Sequence, residues 1–289
     1  MNNLLQVISR DGSLRGFFLD STDIVERARN IHALFPVACA AMGRTLTACS
    51  MMGALLKDEE NSITLQIRGD GPIGSIVTAA DSYGNVRGYV GNGSVVLPAN
   101  PQKKFDVSGA VGKGIFVVSK DLKMKEPYVS QVPIISGEIA EDVASYFSIS
   151  EQTPTLCALG VLVNTETLAI KAAGGYIVQP LPFADSAVVE QLEENAKTVE
   201  PVSQILASER CLLDLANEVF RGIPFDILSE SKVDYACDCK RERVEKTLIS
   251  LGKKELNDLI REEGKADITC RFCDKKYHFS KEDLERLLK

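Results

Sequence analysis

SITLQIRGDGPIGSIVTAADSYGNVRGYVGNG, residues 62–93, decides the fold class. Its apolar period is two and glycine-rich turns interrupt it, so it reads as a meander of short antiparallel strands. Inside it, Gly69-Asp-Gly71-Pro-Ile-Gly74 matches the G-x-G-x-x-G pattern of dinucleotide-binding proteins and follows a strand. That pattern binds phosphate only where a helix begins immediately after it. Pro72 and the SIVTAA run that follows point to another strand instead. The glycines are therefore expected to make a tight turn, not a nucleotide site.

The neighbouring segments fit the same class. LLQVISRDGSLRGFFLD (4–20) is expected to be a β-hairpin turning at Asp11-Gly12. STDIVERARNIHALF should be a helix capped at Ser21 or Thr22, and a second helix should run from Pro36 to about Leu56. The second is apolar on most sides and so should be buried. Arg44 and two threonines interrupt it, which argues against a membrane span. Arg44 there calls for a carboxylate partner. Strands are expected in GIFVVSKDL, YVSQVPII, TLCALGVLVN and LAIKAAGGYIVQPLP, with a helix in SGEIAEDVASYFSIS. Strands and helices come in blocks, not in strict alternation, so the class is α+β: a core of antiparallel sheets with buried helices.

At about Pro182 the composition shifts. Residues 183–228 are expected to be helical, punctuated by Pro201 and ended by Gly222 and Pro224. Val188, Val189, Leu192, Ala196 and Val199 fall near one face, so this segment must dock on something. The expected organisation is an α+β core (1–181), a helical linker (182–231) and a small C-terminal zinc-binding domain (232–289).

The chain has 289 residues and a net charge of -7, which excludes a global basic field for nucleic acid. Residues 232–289 differ, with 15 Lys+Arg against 13 Asp+Glu. MNNLLQVISRDG lacks the features of a secretory leader. Eight cysteines without such a leader point to a reducing compartment, where clustered thiols bind metal or react.

Four of them form the strongest motif: Cys237-x-Cys239 and Cys270-x-x-Cys273. Four thiolates suit tetrahedral zinc and leave no open position for water, so hydrolytic chemistry is disfavoured. His278 is a possible alternative ligand. Lys240, Arg241, Arg243, Arg271, Lys275 and Lys276 surround the pairs with positive charge that could steady thiolates. Spacing alone leaves open whether such a zinc is inert or part of a reactive site. The helices RVEKTLISLG, KKELNDLIREEG and KEDLERLLK are expected around a hairpin in KADITCRFCDKKYHFS, the last helix with a capping box at Ser280 and Asp283. Cys39, Cys49, Cys157 and Cys211 read as small buried hydrophobes. With two histidines in the chain, no Ser-His-Asp arrangement is compelling.

The cysteine array, together with GDGPIG (69–74), VRGYVGN (86–92), SEQTPTLCALGVLV (150–163) and AGGYIVQPLP (173–182), resembles the redox-regulated 33-kDa chaperonin family of bacterial heat-shock holdases, over essentially the whole chain. The resemblance implies a cytoplasmic stress-response chaperone that is not an enzyme and uses no ATP. It implies one zinc on Cys237, Cys239, Cys270 and Cys273 in a reduced, inactive form. Oxidation would form Cys237–Cys239 and Cys270–Cys273 disulfides, release zinc and unfold the switch and linker. The active form would be a homodimer that binds unfolding client proteins, with no nucleic-acid or membrane partner. Two other classes compete on the residues alone. One is a zinc-ribbon nucleic-acid regulator, for which the electrostatic drive is poor. The other is a thiol–disulfide oxidoreductase using Cys270 and Cys273, which lacks a thioredoxin-like βαβ context.

Overall fold

Gly12 takes a positive φ of 75° in the turn that joins β1 (Asn3–Ser9) to β2 (Leu14–Asp20), so the Asp11-Gly12 signal does set the first hairpin. The structure, a computed structural model, describes residues 3–100, 104–208 and 210–288. Glu209 in the expected helical segment and Lys289 at the end of the expected last helix lie outside them. The chain forms two compact units, residues 1–235 and 236–289.

In the first unit, α1 (Thr22–His32) follows the hairpin. Ser21 occupies its N-cap position, but its hydroxyl pairs with Thr47 (2.7 Å), and the Asp20 carboxylate accepts the Thr22 N–H instead. α2 (Pro36–Ala54) is buried on nearly every side. It packs on both sheets of the unit, which explains why its sequence lacks a polar face. The meander is β3 (Ser62–Gly69), β4 (Ser75–Asp81) and β5 (Val86–Val90). A one-turn helix, α3 (Val107–Val111), had no signal strong enough to be expected. β6 (Gly114–Asp121) and β7 (Tyr128–Pro133) complete an antiparallel sheet of order β5-β4-β3-β6-β7. α4 (Ala140–Ser150) precedes β8 (Leu156–Val163) and β9 (Ile170–Pro180).

Gly69-to-Gly74 runs from one strand to the next with no helix after it. The Gly71 and Ile73 N–H groups donate to the carbonyls of Val111 and Ala110, so they are already used by the protein. A Cβ at Gly69 would lie 1.8 Å from the Val111 oxygen, and one at Gly71 2.3 Å from the Ala110 oxygen. The glycines admit the α3 backbone, not a pyrophosphate. Gly69→Ala is expected to lower the unfolding free energy by about 3 kcal/mol, the upper end for overpacking, because backbone must move. Urea titration of both proteins measures it.

The second sheet has the order β10-β1-β2-β9-β8. Its two faces are covered by different elements, so β9 is buried along almost its whole length. Leu4, Phe17, Leu19 and Ile177 face the core around α2. Leu5, Val7, Phe18, Tyr176 and Val178 face a second cluster supplied by α5 (Ser186–Ala196), α6 (Val202–Ala207) and α7 (Leu212–Val219). Gly174 and Gly175 permit the approach of Leu206 and Thr47 to this strand; a Cβ there would lie 2.4 and 3.2 Å from them. Asn195, buried in α5, donates to the Val219 and Arg221 carbonyls and so fixes the end of α7.

Two expectations are corrected here. Phe225-Asp-Ile-Leu228 is not helical: β10 (Phe225–Lys232) pairs antiparallel with β1. The free edge of β1 supplies hydrogen-bond partners that outweigh the local preference. Cys211 is not buried: it is exposed at the N-cap of α7, where its N–H and Sγ both donate to the Asp214 carboxylate.

The second unit is a hairpin of β11 (Lys265–Thr269) and β12 (Lys276–Ser280) packed by α8 (Arg241–Ser250), α9 (Lys253–Glu262) and α10 (Lys281–Leu287). The capping box at Ser280 and Asp283 is formed. Among the described residues, no helix is long and apolar enough to cross a membrane.

Candidate metal centre

Cys237 and Cys239 lie on the extended stretch that leads into α8, and Cys270 and Cys273 on the turn joining β11 to β12. That turn is tight because the Cys270 N–H donates to the Lys275 carbonyl and the Asp274 N–H to the Cys270 carbonyl. Asp274 takes a positive φ of 58° to allow it. The two sulfurs of the turn thereby meet the two of the extended stretch. All four lie within 4.8 Å of one another. Cys237 and Cys270 are 3.8 Å apart, and Cys239 and Cys273 3.3 Å. Zn–S bonds of about 2.3 Å place tetrahedral sulfurs about 3.8 Å apart. The donor set and its spacing therefore fit a metal ion held by four thiolates.

Electrostatics favour the same occupant. Burial pushes the Cys237 and Cys273 thiols up. At Cys239 burial also acts upward, but hydrogen bonds from Tyr277 and the neighbouring thiols outweigh it and bring the group to about 7. Four crowded thiols cannot all ionise without a cation among them. The Tyr277 hydroxyl donates to the Cys239 carbonyl (2.9 Å) and lies 3.2 Å from its sulfur. Tyr277 is a site residue that spacing did not reveal. Its alternation with Phe279 on the inner face of the hairpin was the available signal.

Three of the surrounding cations have other partners. Arg241 donates to the His278 carbonyl and to Asp283, and stacks over Phe279 at 4.2 Å. Arg243 pairs with Asp238, and Lys275 lies over the Tyr277 ring. His278 is apart from the sulfur group: its Nδ1 is 2.7 Å from the Asp267 carboxylate on the exposed side of the hairpin.

Elsewhere Arg44 has the carboxylate partner its sequence context required, Glu138. Cys39 and Cys49 are buried, which pushes each thiol up to about 12 and makes it inert.

An antiparallel α+β unit carrying a helical layer, followed by a small unit centred on four converging thiols, defines a cysteine-cluster protein. The family model described as Hsp33 protein matches residues 2–280, and the chain belongs to that family. A "33 kDa chaperonin" of Acetivibrio thermocellus is 44% identical over 286 residues, covering 99% of this chain and 96% of that one. One of Desulforamulus reducens is 43% identical, covering 99% and 97%. The crystal structure of the 33 kDa chaperonin (heat shock protein 33 homolog) of Thermotoga maritima superposes with a TM-score of 0.89 at 39% identity, covering 99% of this chain and 97% of that one.

Proposed function

We propose that this chain is a redox-regulated, ATP-independent chaperone of the cytoplasm, inactive while reduced and zinc-loaded. The convergence of four sulfurs within 4.8 Å in the C-terminal unit carries the proposal, and family membership supports the chaperone role. Cys237, Cys239, Cys270 and Cys273 would hold one zinc, which when bound keeps the thiolates deprotonated and ties the extended stretch to the hairpin.

Oxidation takes two electrons from each thiol pair. Two thiols and one peroxide give one disulfide and two waters. The pairs formed are Cys237–Cys239 and Cys270–Cys273, each short enough in sequence to close without the other. Once all four sulfurs are in disulfides, the unit loses its central restraint. The switch segment (232–289) and the linker (182–231) then loosen. The linker helices cover Leu5, Val7, Phe18, Tyr176 and Val178, so their departure uncovers an apolar face fit to hold unfolding clients. The active form is a homodimer.

The test combines three readings on one sample treated with peroxide under mild heat. Zinc should fall from one per chain to none, free thiols should fall from eight to four, and light scattering by an unfolding client should be suppressed. Peptide mapping should find the two proposed disulfides. Zinc loss without suppression of aggregation contradicts the function, and a Cys239–Cys273 disulfide contradicts the pairing.

A further inference from the structure

Beyond β10 the chain crosses to the other sheet of the first unit. Residues Val233 to Tyr235 run along the free edge of β5, where Tyr235 makes a parallel bridge with Val86. The Val86 N–H donates to the Asp234 carbonyl (2.9 Å), and the Asp234 N–H donates to the Asn85 side chain (3.1 Å). Val233 and Tyr235 are buried. The Tyr235 hydroxyl donates to the Gly88 carbonyl (2.8 Å), accepts the Gly88 N–H (3.3 Å) and lies 3.2 Å from His32 Nε2. Arg27 faces the tyrosine ring at 5.9 Å and pairs with the Asp234 carboxylate at 3.3 Å.

A phenol thus takes both main-chain groups of Gly88 that an added strand would otherwise take. Such an edge is a site for strand addition. Its contacts specify an apolar residue, an acidic residue and a tyrosine in extended conformation. We propose that this slot is a client-binding subsite for extended segments of unfolding proteins in which an acidic residue precedes tyrosine, and that Val233–Tyr235 is a resident segment occupying it in the reduced chain. The inference rests on the chaperone reading above. The chain leaving the slot enters the cysteine unit at Ala236, so the resident segment is the part of the first unit nearest in sequence to the thiols.

The probe is a fluorescent peptide of residues 230–236, Glu-Ser-Lys-Val-Asp-Tyr-Ala. Full-length Tyr235→Ala, shown folded by circular dichroism, should bind it at least about tenfold more tightly than reduced wild type does. Replacing the peptide's tyrosine by phenylalanine should weaken binding about tenfold through loss of the Gly88 hydrogen bonds. Equal binding of the tyrosine and phenylalanine peptides overturns the slot. A second arm uses oxidised chain, from which the resident segment is released, with a benzophenone amino acid in place of Asn30, an exposed position one turn along α1 from Arg27; it stands if Tyr235→Ala does not fold. A tyrosine-bearing client should cross-link there, and the peptide should compete. Oxidised chain that suppresses aggregation yet forms no such cross-link overturns the slot and leaves the chaperone reading intact. Cross-linking without suppression of aggregation supports the slot and contradicts the chaperone reading.

Discussion

Cys270→Ser abolishes stoichiometric zinc binding and unfolds residues 236–289 while leaving α2 and the sheets around it folded. The buried apolar core of this unit is Leu248, Leu256, Ala266, Tyr277, Phe279 and Leu284, drawn from two strands and three short helices. A core of that size in so short a segment does not offset its conformational entropy without a metal or a cross-link. Thiolate-bound zinc contributes about 10–16 kcal/mol in small folded sites, nearly all of it coupled to folding. Cys270 sits at the base of the turn, where its carbonyl and N–H also close the loop on Asp274 and Lys275. Serine keeps those backbone bonds and removes only the sulfur, so the loss is assigned to the donor and not to the turn. The core around α2 is separate from the linker layer and should keep its protection from amide exchange. Zinc content after dialysis, and amide exchange resolved by segment, check both halves. One zinc per chain retained, or continued protection of β11 and β12, contradicts the four-thiol assignment.

The thiol site was legible in the sequence because its information is local: two short spacings and a reducing context. Tyr277 was not, because its role at Cys239 depends on which face of the hairpin turns inward, and the pairing of Lys265–Thr269 with Lys276–Ser280 fixes that. The meander and the first hairpin were legible because period-two alternation and glycine turns coincide. β10 was misread for the opposite reason. Phe225, Ile227 and Leu228 show no clean alternation, and most of the strand is exposed. Its conformation comes from the edge of β1, more than 200 residues away in sequence. Cys211 was placed inside a helix because the break after α6 carries neither glycine nor proline. The signal was Asp214, three residues on, whose carboxylate caps the Cys211 N–H. The Tyr235 slot lies beyond sequence reasoning altogether, since it joins α1, β5 and a segment some 150 residues further on.

Phe220→Ala loosens the helical layer in the reduced chain and gives chaperone activity without oxidation. Phe220 ends α7 and is buried, with its ring 6.2 Å from Phe18 on the sheet and 5.3 Å from Phe225 at the start of β10. Gly16 lies beneath it, where a Cβ would come within 3.2 Å of the ring, so that position has no side chain to fill the space. Truncating a buried phenylalanine costs about 3–5 kcal/mol. α5, α6 and α7 span 11, 6 and 8 residues, lengths at which helices depend on packing rather than on their own hydrogen bonds. The penalty therefore falls on the local opening of this layer, while α2 and the two sheets retain their separate core. Amides in residues 186–219 should exchange about 100-fold faster or more, on the basis of about 1.4 kcal/mol per tenfold. An apolar dye should bind the uncovered sheet, zinc should remain at one per chain, and client aggregation should be suppressed under reducing conditions. Phe35→Ala, at a position 42% exposed, is the control and should change none of these. A variant that loses global stability with unchanged exchange in 186–219 shows that the layer and the sheets open together, and then release of the helices cannot be the step that exposes the client-binding face.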